Sequence, residues 1–242
     1  MTARDHWFEA VADHLGAAYL RYSFTKGTEQ EVDFLVGALE LRPGMRVLDV
    51  GCGPGRHARA LAARGLQVHG VDISQRFVDL AQTEAPPGAT FERADARSLA
   101  FDAEFDAAIS LCQGAFGLTG GPGAPLDGDG SVLAGMARAL RPGGTLAVSA
   151  FSSYFMLRFL EDHDAFDADA GVNHERTVVK DEAGHEAEVD LWTTCFTPRE
   201  LRLLAAAAGL QVLHIWSVTP GGYAAAAPSI DSPELLLVAA RP

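Results

Sequence analysis

The stretch VLDVGCGPGRHARAL, Val47 to Leu61, most constrains what this chain can fold into. It runs an apolar strand pattern into a turn with glycines at 51, 53 and 55, and then into a helical pattern. Such a turn sets backbone N–H groups and a helix N-terminus against whatever approaches it, because glycine has no Cβ to block the way. The chain then repeats strand and helix in alternation: RVLDV and a helix over 54–64, LQVHGVD and a helix over 75–85, ATFERAD, FDAAIS and a helix over 131–140, and GTLAVSAF. That alternation predicts crossover connections and a parallel sheet.

The punctuation agrees with this reading. LRPG occurs at Leu41 to Gly44 and again at Leu140 to Gly143, each time between a helix pattern and a strand pattern, where proline and glycine end the helix. At Thr197 to Glu200, TPRE supplies a capping hydroxyl, a proline for the first helical position and a glutamate three residues after the cap, so a helix is expected from Pro198 to about Ala208. LQVLHIWSV and ELLLVAAR then read as two last strands, and the short loop 219–233 between them favours antiparallel pairing. From Asp5 to about Glu40 apolar residues recur at helical spacing, interrupted near SFTKGT, which predicts two helices with a joint.

Composition excludes several partners. Nineteen basic against 32 acidic side chains give a formal charge of -13, a surface that repels phosphate backbones and anionic headgroups. Neither nucleic acid nor a membrane is therefore an expected partner. Cys52, Cys112 and Cys195 form no C-x-x-C pair and leave an odd count, which fits free thiols in a reducing compartment. The opening MTARDHWFEAVADH lacks the basic and apolar regions of a signal peptide, and no apolar run reaches membrane-spanning length, so a cytoplasmic protein is expected. The segment Glu161 to Asp190 holds eleven carboxylates, two basic side chains and three histidines. It reads as a metal-binding or gating insertion, or as a solvated helix and hairpin covering part of the sheet. The lack of tight ligand spacing favours the second, and no metal is expected.

Two ligand classes use a glycine turn of this kind. A dinucleotide site places a third glycine in G-x-G-x-x-G, where helix and strand must pack closely. Here that position is Arg56, and Pro54 removes an N–H that a pyrophosphate would use. Asp72, at the end of the second strand, is placed to accept from two ribose hydroxyls, which either class carries. Asp49 inside the first strand, Asp95 after the third and SLCQGAFG after the fourth fall on the same presumed C-terminal edge, where open parallel sheets bind ligands.

In this order the motifs resemble the class I S-adenosylmethionine-dependent methyltransferases: VLDVGCGPG their first motif, GVDIS their second, ADA the adenine-side motif, FDAAIS the fourth strand and ALRPGGTLAVS the fifth. The resemblance spans about residues 45–150 and continues more loosely through FTPRELRLLAAAAGLQV. It implies an α/β fold, a Rossmann-like three-layer sandwich whose seven-stranded, mostly parallel sheet has its last strand antiparallel, with an N-terminal helical cap. Residues 1–42 would form the cap, and 43–242 an S-adenosylmethionine-binding catalytic domain with an acidic insertion at about 152–195.

By that resemblance Gly51, Gly53 and Gly55 admit the methionine moiety and ribose of S-adenosylmethionine, and Asp72 holds the ribose hydroxyls. Ile73 packs on the adenine, Asp95 accepts from its exocyclic amine, Ala96 donates a backbone N–H to the ring, and Leu111 lies beside the same ligand. Asp49 approaches the cofactor's amino group, and Arg56 reaches its carboxylate or points to solvent. His57 reads as a packing or capping residue in preference to a base. A small-molecule acceptor is expected above the fourth strand near Cys112, Gln113 and Phe116. Tyr19, Tyr22, Lys26 and Thr28 form a possible lid, although both tyrosines also suit amphipathic packing. The tetrapeptide that nucleic-acid amino methylases carry after that strand is absent, since Ser110-Leu111-Cys112-Gln113 stands there. The alternatives are a nicotinamide-dependent oxidoreductase and a non-catalytic module that binds the same cofactor. Monomer and homodimer both remain open.

Overall fold

The structure, a computed structural model, describes residues 6–112 and 114–242. Residues 1–5 and Gln113, one of the expected acceptor contacts, lie outside the described residues. The central strands are β1 (Arg46–Val50), β2 (Gln67–Asp72), β3 (Ala89–Arg93), β4 (Phe105–Ser110) and β5 (Leu140–Ser152). They lie in the order β3-β2-β1-β4-β5, all parallel. Beyond β5 come β10 (Glu234–Ala240), antiparallel to it, and then β9 (Gln211–Val218), antiparallel to β10. This is the seven-stranded sheet that the resemblance implies, with the last strand of the chain inserted antiparallel.

The sheet carries three more strands than expected. Beyond Arg158 the acidic segment folds into β6 (Asp164–Asp167), β7 (Val172–Lys180) and β8 (Glu186–Phe196), an antiparallel set. It joins the sheet where Phe151 and Ser152 at the end of β5 pair with Cys195 and Phe196 of β8. Alternation explains its shape: His174 and Arg176 turn outward to Asp190, while Asn173 and Val179 are buried on the opposite face.

Helices cover both faces of the sheet, which is why Val47 on one face of β1 and Leu48 and Val50 on the other are all apolar and wholly buried. One core packs α2 (Thr28–Ala38), α3 (Arg56–Ala63) and α4 (Gln75–Thr83) on the sheet through Leu35, Leu61 and Val78. The other packs α5 (Gly128–Ala139) and α7 (Pro198–Ala207) through Leu133, Met136 and Leu201. The α7 start is set by its capping box, in which Thr197 accepts from the Glu200 backbone and Glu200 accepts from Thr197 N.

The N-terminal segment forms α1 (Trp7–Leu15), two 3-10 turns (Gly16–Arg21 and Ser23–Gly27) and α2. Through Val11 and Leu15, α1 packs on Val179 of β7. The hairpin tip clasps the turn that follows: Glu182 accepts from Ala17 N at 2.7 Å and from Arg76 of α4 at 2.8 Å. The short α6 (Ser153–Arg158) follows β5.

Candidate functional site

The turn after β1 is held open by its own backbone. Gly51 N and Cys52 N both donate to Val71 O, at 2.8 and 3.0 Å, which ties the turn to β2. Gly51 has φ 72°, and a Cβ there would come within 2.0 Å of the Gly114 backbone. Gly55, at φ 82°, would drive a Cβ to 2.9 Å from the Phe91 ring. Only glycine meets both demands at these positions.

Asp72 is buried at the end of β2, and each of its oxygens already serves the loop: Oδ2 accepts from Gly53 N and Oδ1 from Ser74 N, both at 2.8 Å. A carboxylate oxygen has two lone pairs, so each retains capacity for a hydroxyl. Burial raises the Asp72 carboxyl to about 6 against the pull of those two N–H groups. Around it opens a cleft lined by Gly51, Ile73, Asp95 and Ala96 on one side and by Ala115 and Leu118 on the other. Asp95 caps a 3-10 turn by accepting from Arg97 N at 2.9 Å, and it is forked by the Arg97 guanidinium. His6, Phe8 and Thr119 also line the cleft, and no motif in the sequence marks them.

Asp49 is 1 % exposed, and its Oδ2 has no hydrogen-bond partner among the described residues. Burial lifts its carboxyl to about 7, with Arg56 opposing the shift and Asp72 adding to it. A buried acceptor left unmade is costly, and a cationic ligand group would relieve it.

Arg56 turns neither to solvent nor to a free ligand position. Its guanidinium donates to Glu31 Oε2 at 2.7 Å, to Thr28 Oγ1 at 2.8 Å and to Cys112 Sγ at 2.8 Å. Glu31 is wholly buried and also takes His57 Nε2 at 2.7 Å and Gly221 N at 2.8 Å. Because a carboxylate only accepts, Nε2 is the protonated nitrogen of His57. Burial opposes the charge on Glu31, but the His57 hydrogen bond and Arg56 outweigh it and bring the carboxyl down to about 2. Burial lowers the His57 pKa, so the imidazole is a neutral donor and the charge pair is Glu31 with Arg56. The ligand atoms of Glu31, His57 and Cys112 lie within 4.8 Å of one another, a spacing that suits a metal ion. The Arg56 guanidinium, bonded to two of the three, supplies the positive charge there.

Beyond this network lies an apolar cavity of about 260 Å³ between the N-terminal helices and the β7–β8 hairpin. Tyr19, Tyr22 and Cys112 all line it, with Phe151, Asn173 and Glu175 from the other side. Burial pushes up both the Tyr19 phenol and the Cys112 thiol. Two residues singled out from the sequence face elsewhere. Phe116 is fully buried in the core, its ring stacked on Phe196 at 4.7 Å, because Gly117 N is drawn to Asp129 Oδ1 and Phe116 N to Ser110 Oγ. Leu111 is buried in the core that α2, α3 and α4 share with the sheet, and it lines neither the cleft nor the apolar cavity.

Residues 47–144 match the protein family described as Methyltransferase domain. Over 133 residues the chain is 37 % identical to 27-O-demethylrifamycin SV methyltransferase of Amycolatopsis mediterranei (strain S699), covering 52 % of this chain but only 46 % of that enzyme. Over 223 residues it is 29 % identical to the cypemycin N-terminal methyltransferase of a Streptomyces species, covering 82 % and 84 % of the two chains. Its fold is similar to that of the CcbJ methyltransferase from Streptomyces caelestis, at TM-score 0.71 and 23 % identity over 88 % of this chain and 95 % of the other. The ordered motifs and the strand order agree with these likenesses: residues 47–144 carry a methyltransferase domain, set in a fold similar to that of solved methyltransferases.

Proposed function

We propose that this chain transfers the methyl group of S-adenosylmethionine to a small-molecule acceptor by in-line displacement. The observation that carries the reading is the pairing of two adjacent spaces: a cleft on the C-terminal edge of the sheet, rimmed by Gly51, Asp72 and Asp95, and a capped apolar cavity that meets it at Phe8 and Leu118. The residues fit the cofactor. Asp49 Oδ2 is a buried acceptor in want of a donor, suited to an ammonium group. Asp72 would accept the ribose hydroxyls while still holding Gly53 N. Ile73 and Leu118 would pack against the adenine, with Asp95 and the Ala96 backbone at its edge. When bound, the cofactor supplies an electrophilic methyl on a good leaving group.

The protein's part is then to position and to exclude water. Holding two reactants in near-attack geometry can contribute about 7 to 11 kcal/mol. The cap serves this end, because α1 and the two 3-10 turns roof the cavity and the hairpin tip fastens them through Glu182. His57 is occupied by Glu31 and lies outside the cavity lining, which argues against it as a base. Arg56 acts by holding Thr28 of the cap against the glycine turn.

Relatives named for rifamycin and cypemycin methylation support a natural-product or other small acceptor. Among the described residues no helix is long and apolar enough to cross a membrane. The test is transfer of a labelled methyl group from S-adenosylmethionine to a panel of small acceptors grouped by nucleophile. Labelled product with stoichiometric S-adenosylhomocysteine is expected, and a protein that binds the cofactor without turnover on any acceptor points to the non-catalytic alternative.

A further inference from the structure

We infer that the acceptor enters the apolar cavity as an amine, with an apolar or aromatic body, and that Glu175 receives its positively charged nitrogen. The inference rests on reading this cavity as the acceptor site. Among the described residues its lining holds one carboxylate, Glu175, and no basic side chain. The neighbouring charges are spent elsewhere: His174 and Arg176 turn to the other face of β7 and share Asp190, at 2.7 and 3.2 Å. No hydrogen bond or ion pair reaches the Glu175 carboxylate among the described residues, and it is half-buried beside Leu191, its partner across the strand pair.

A second acceptor group stands two residues away on the same face. Asn173 also lines the cavity, and its Oδ1 is buried with no donor among the described residues. The orientation of that amide is fixed, because its Nδ2 donates at 2.9 Å to Asp164, a carboxylate that can only accept. Two acceptors without donors on one strand face call for a ligand that brings N–H groups. An anionic acceptor would set like charges together in a poorly solvated space, and a purely apolar one would leave Glu175 desolvated and unpaired. An ammonium satisfies the carboxylate and meets the aromatic side chains of Trp7, Phe8, Tyr19 and Tyr22 that roof the cavity. The ammonium is the form that Glu175 binds; for methylation of the nitrogen itself it would first pass its proton to that carboxylate, and the freed lone pair would form the N–CH3 bond as the S–CH3 bond of the sulfonium breaks, with S-adenosylhomocysteine leaving.

The test titrates the full chain with two isosteric sets: phenethylamine, phenethyl alcohol and hydrocinnamate; tryptamine, tryptophol and indolepropionate. Binding is read by calorimetry without cofactor, so that it does not depend on methyl transfer. The amine of each set is expected to bind about tenfold or more tighter than the alcohol, with the carboxylate weakest. Glu175→Gln should erase that preference, and Glu175→Lys should reverse it toward the carboxylate. S-adenosylhomocysteine affinity, measured on the same preparations, should be unchanged in both variants and reports that they are folded. Amines that bind no better than the alcohols, or not at all, or a preference that survives in Glu175→Gln, would overturn the inference. Failure of the wild-type chain to bind S-adenosylhomocysteine, with the amine preference intact, would overturn the cofactor reading alone.

Discussion

Glu31 offers the sharpest energetic test of how the cap is joined to the glycine turn. Its side chain is fully buried and serves three donors at once, Arg56 and His57 at the start of α3 and Gly221 N in the loop after β9. In Glu31→Ala the Arg56 guanidinium, whose side chain is 9 % exposed, keeps only Thr28 Oγ1 and Cys112 Sγ, and the other two donors lose a partner. Breaking a buried pair by removing one member costs about 3 to 5 kcal/mol, because the remaining charge stays buried. For a chain of this size about 1 kcal/mol moves Tm by 2 to 4 °C, so a fall of about 10 °C is expected. Differential scanning calorimetry reads it. Glu31→Leu combined with Arg56→Met, which removes both charges, should recover most of the loss. A single variant whose Tm falls by less than about 2 °C, or single effects that merely add in the double variant, would refute the claim of a coupled buried pair.

Four further outcomes follow from other parts of the structure. Asp49 is raised by burial to about 7, and a bound ammonium would favour its charged form, so cofactor binding should expel a proton at lower pH. S-adenosylhomocysteine affinity should therefore climb by up to about a decade per pH unit from about pH 5 and level off above about 7, and Asp49→Asn should flatten the profile. In the free protein the sign is opposite. The raised pKa values of Asp49 and Asp72 contribute stability that is complete below their unfolded values and is lost as pH rises through about 7 and 6, whereas Glu31, lowered to about 2, contributes stability that is lost as pH falls through that value. Chemical denaturation at several pH values, with Asp49→Asn alongside, checks this. Thr197→Ala removes the capping box of α7 and should cost about 1 kcal/mol, read as a fall of a few degrees in Tm without change in cofactor affinity. Gly51→Ala sets a Cβ against the Gly114 backbone at a left-handed φ and should abolish cofactor binding in a chain that still shows its far-ultraviolet signature.

What could be read from the sequence was local. The strand, glycine turn and helix at 47–61 carry their geometry in the residues themselves, and so does TPRE, whose capping hydrogen bonds form as the spacing requires. Antiparallel pairing of β9 and β10 follows from the short connection between them. Pairing across elements was not legible. Arg56 sits at a helix start, where a long basic side chain suits solvent or an anion equally, and its partner Glu31 is 25 residues away on another helix. One signal was present: Glu31 precedes Leu35 by four residues and so falls on the buried face of α2, where a carboxylate requires a buried cation. The acidic segment hid its function for a related reason. Charge dominates its composition, yet strand alternation sends His174, Arg176 and Asp190 to one face and leaves Asn173 and Glu175 facing the cavity. Phe116 misled because aromatic residues after a fourth strand serve core and pocket alike, and here Phe196 claims it.

The central claim is that the glycine turn and Asp72 seat an adenosyl sulfonium and not a dinucleotide. Isothermal titration of the purified chain with S-adenosylmethionine and S-adenosylhomocysteine, with NADH and NADPH as comparators, tests it most directly. One site per chain with micromolar affinity for the sulfur nucleosides alone is expected, weakened at least tenfold in Asp72→Ala, which loses hydrogen bonds to a charged group worth about 1.5 to 3 kcal/mol each. Binding of a dinucleotide alone, or sulfur-nucleoside affinity that Asp72→Ala leaves intact, would contradict it.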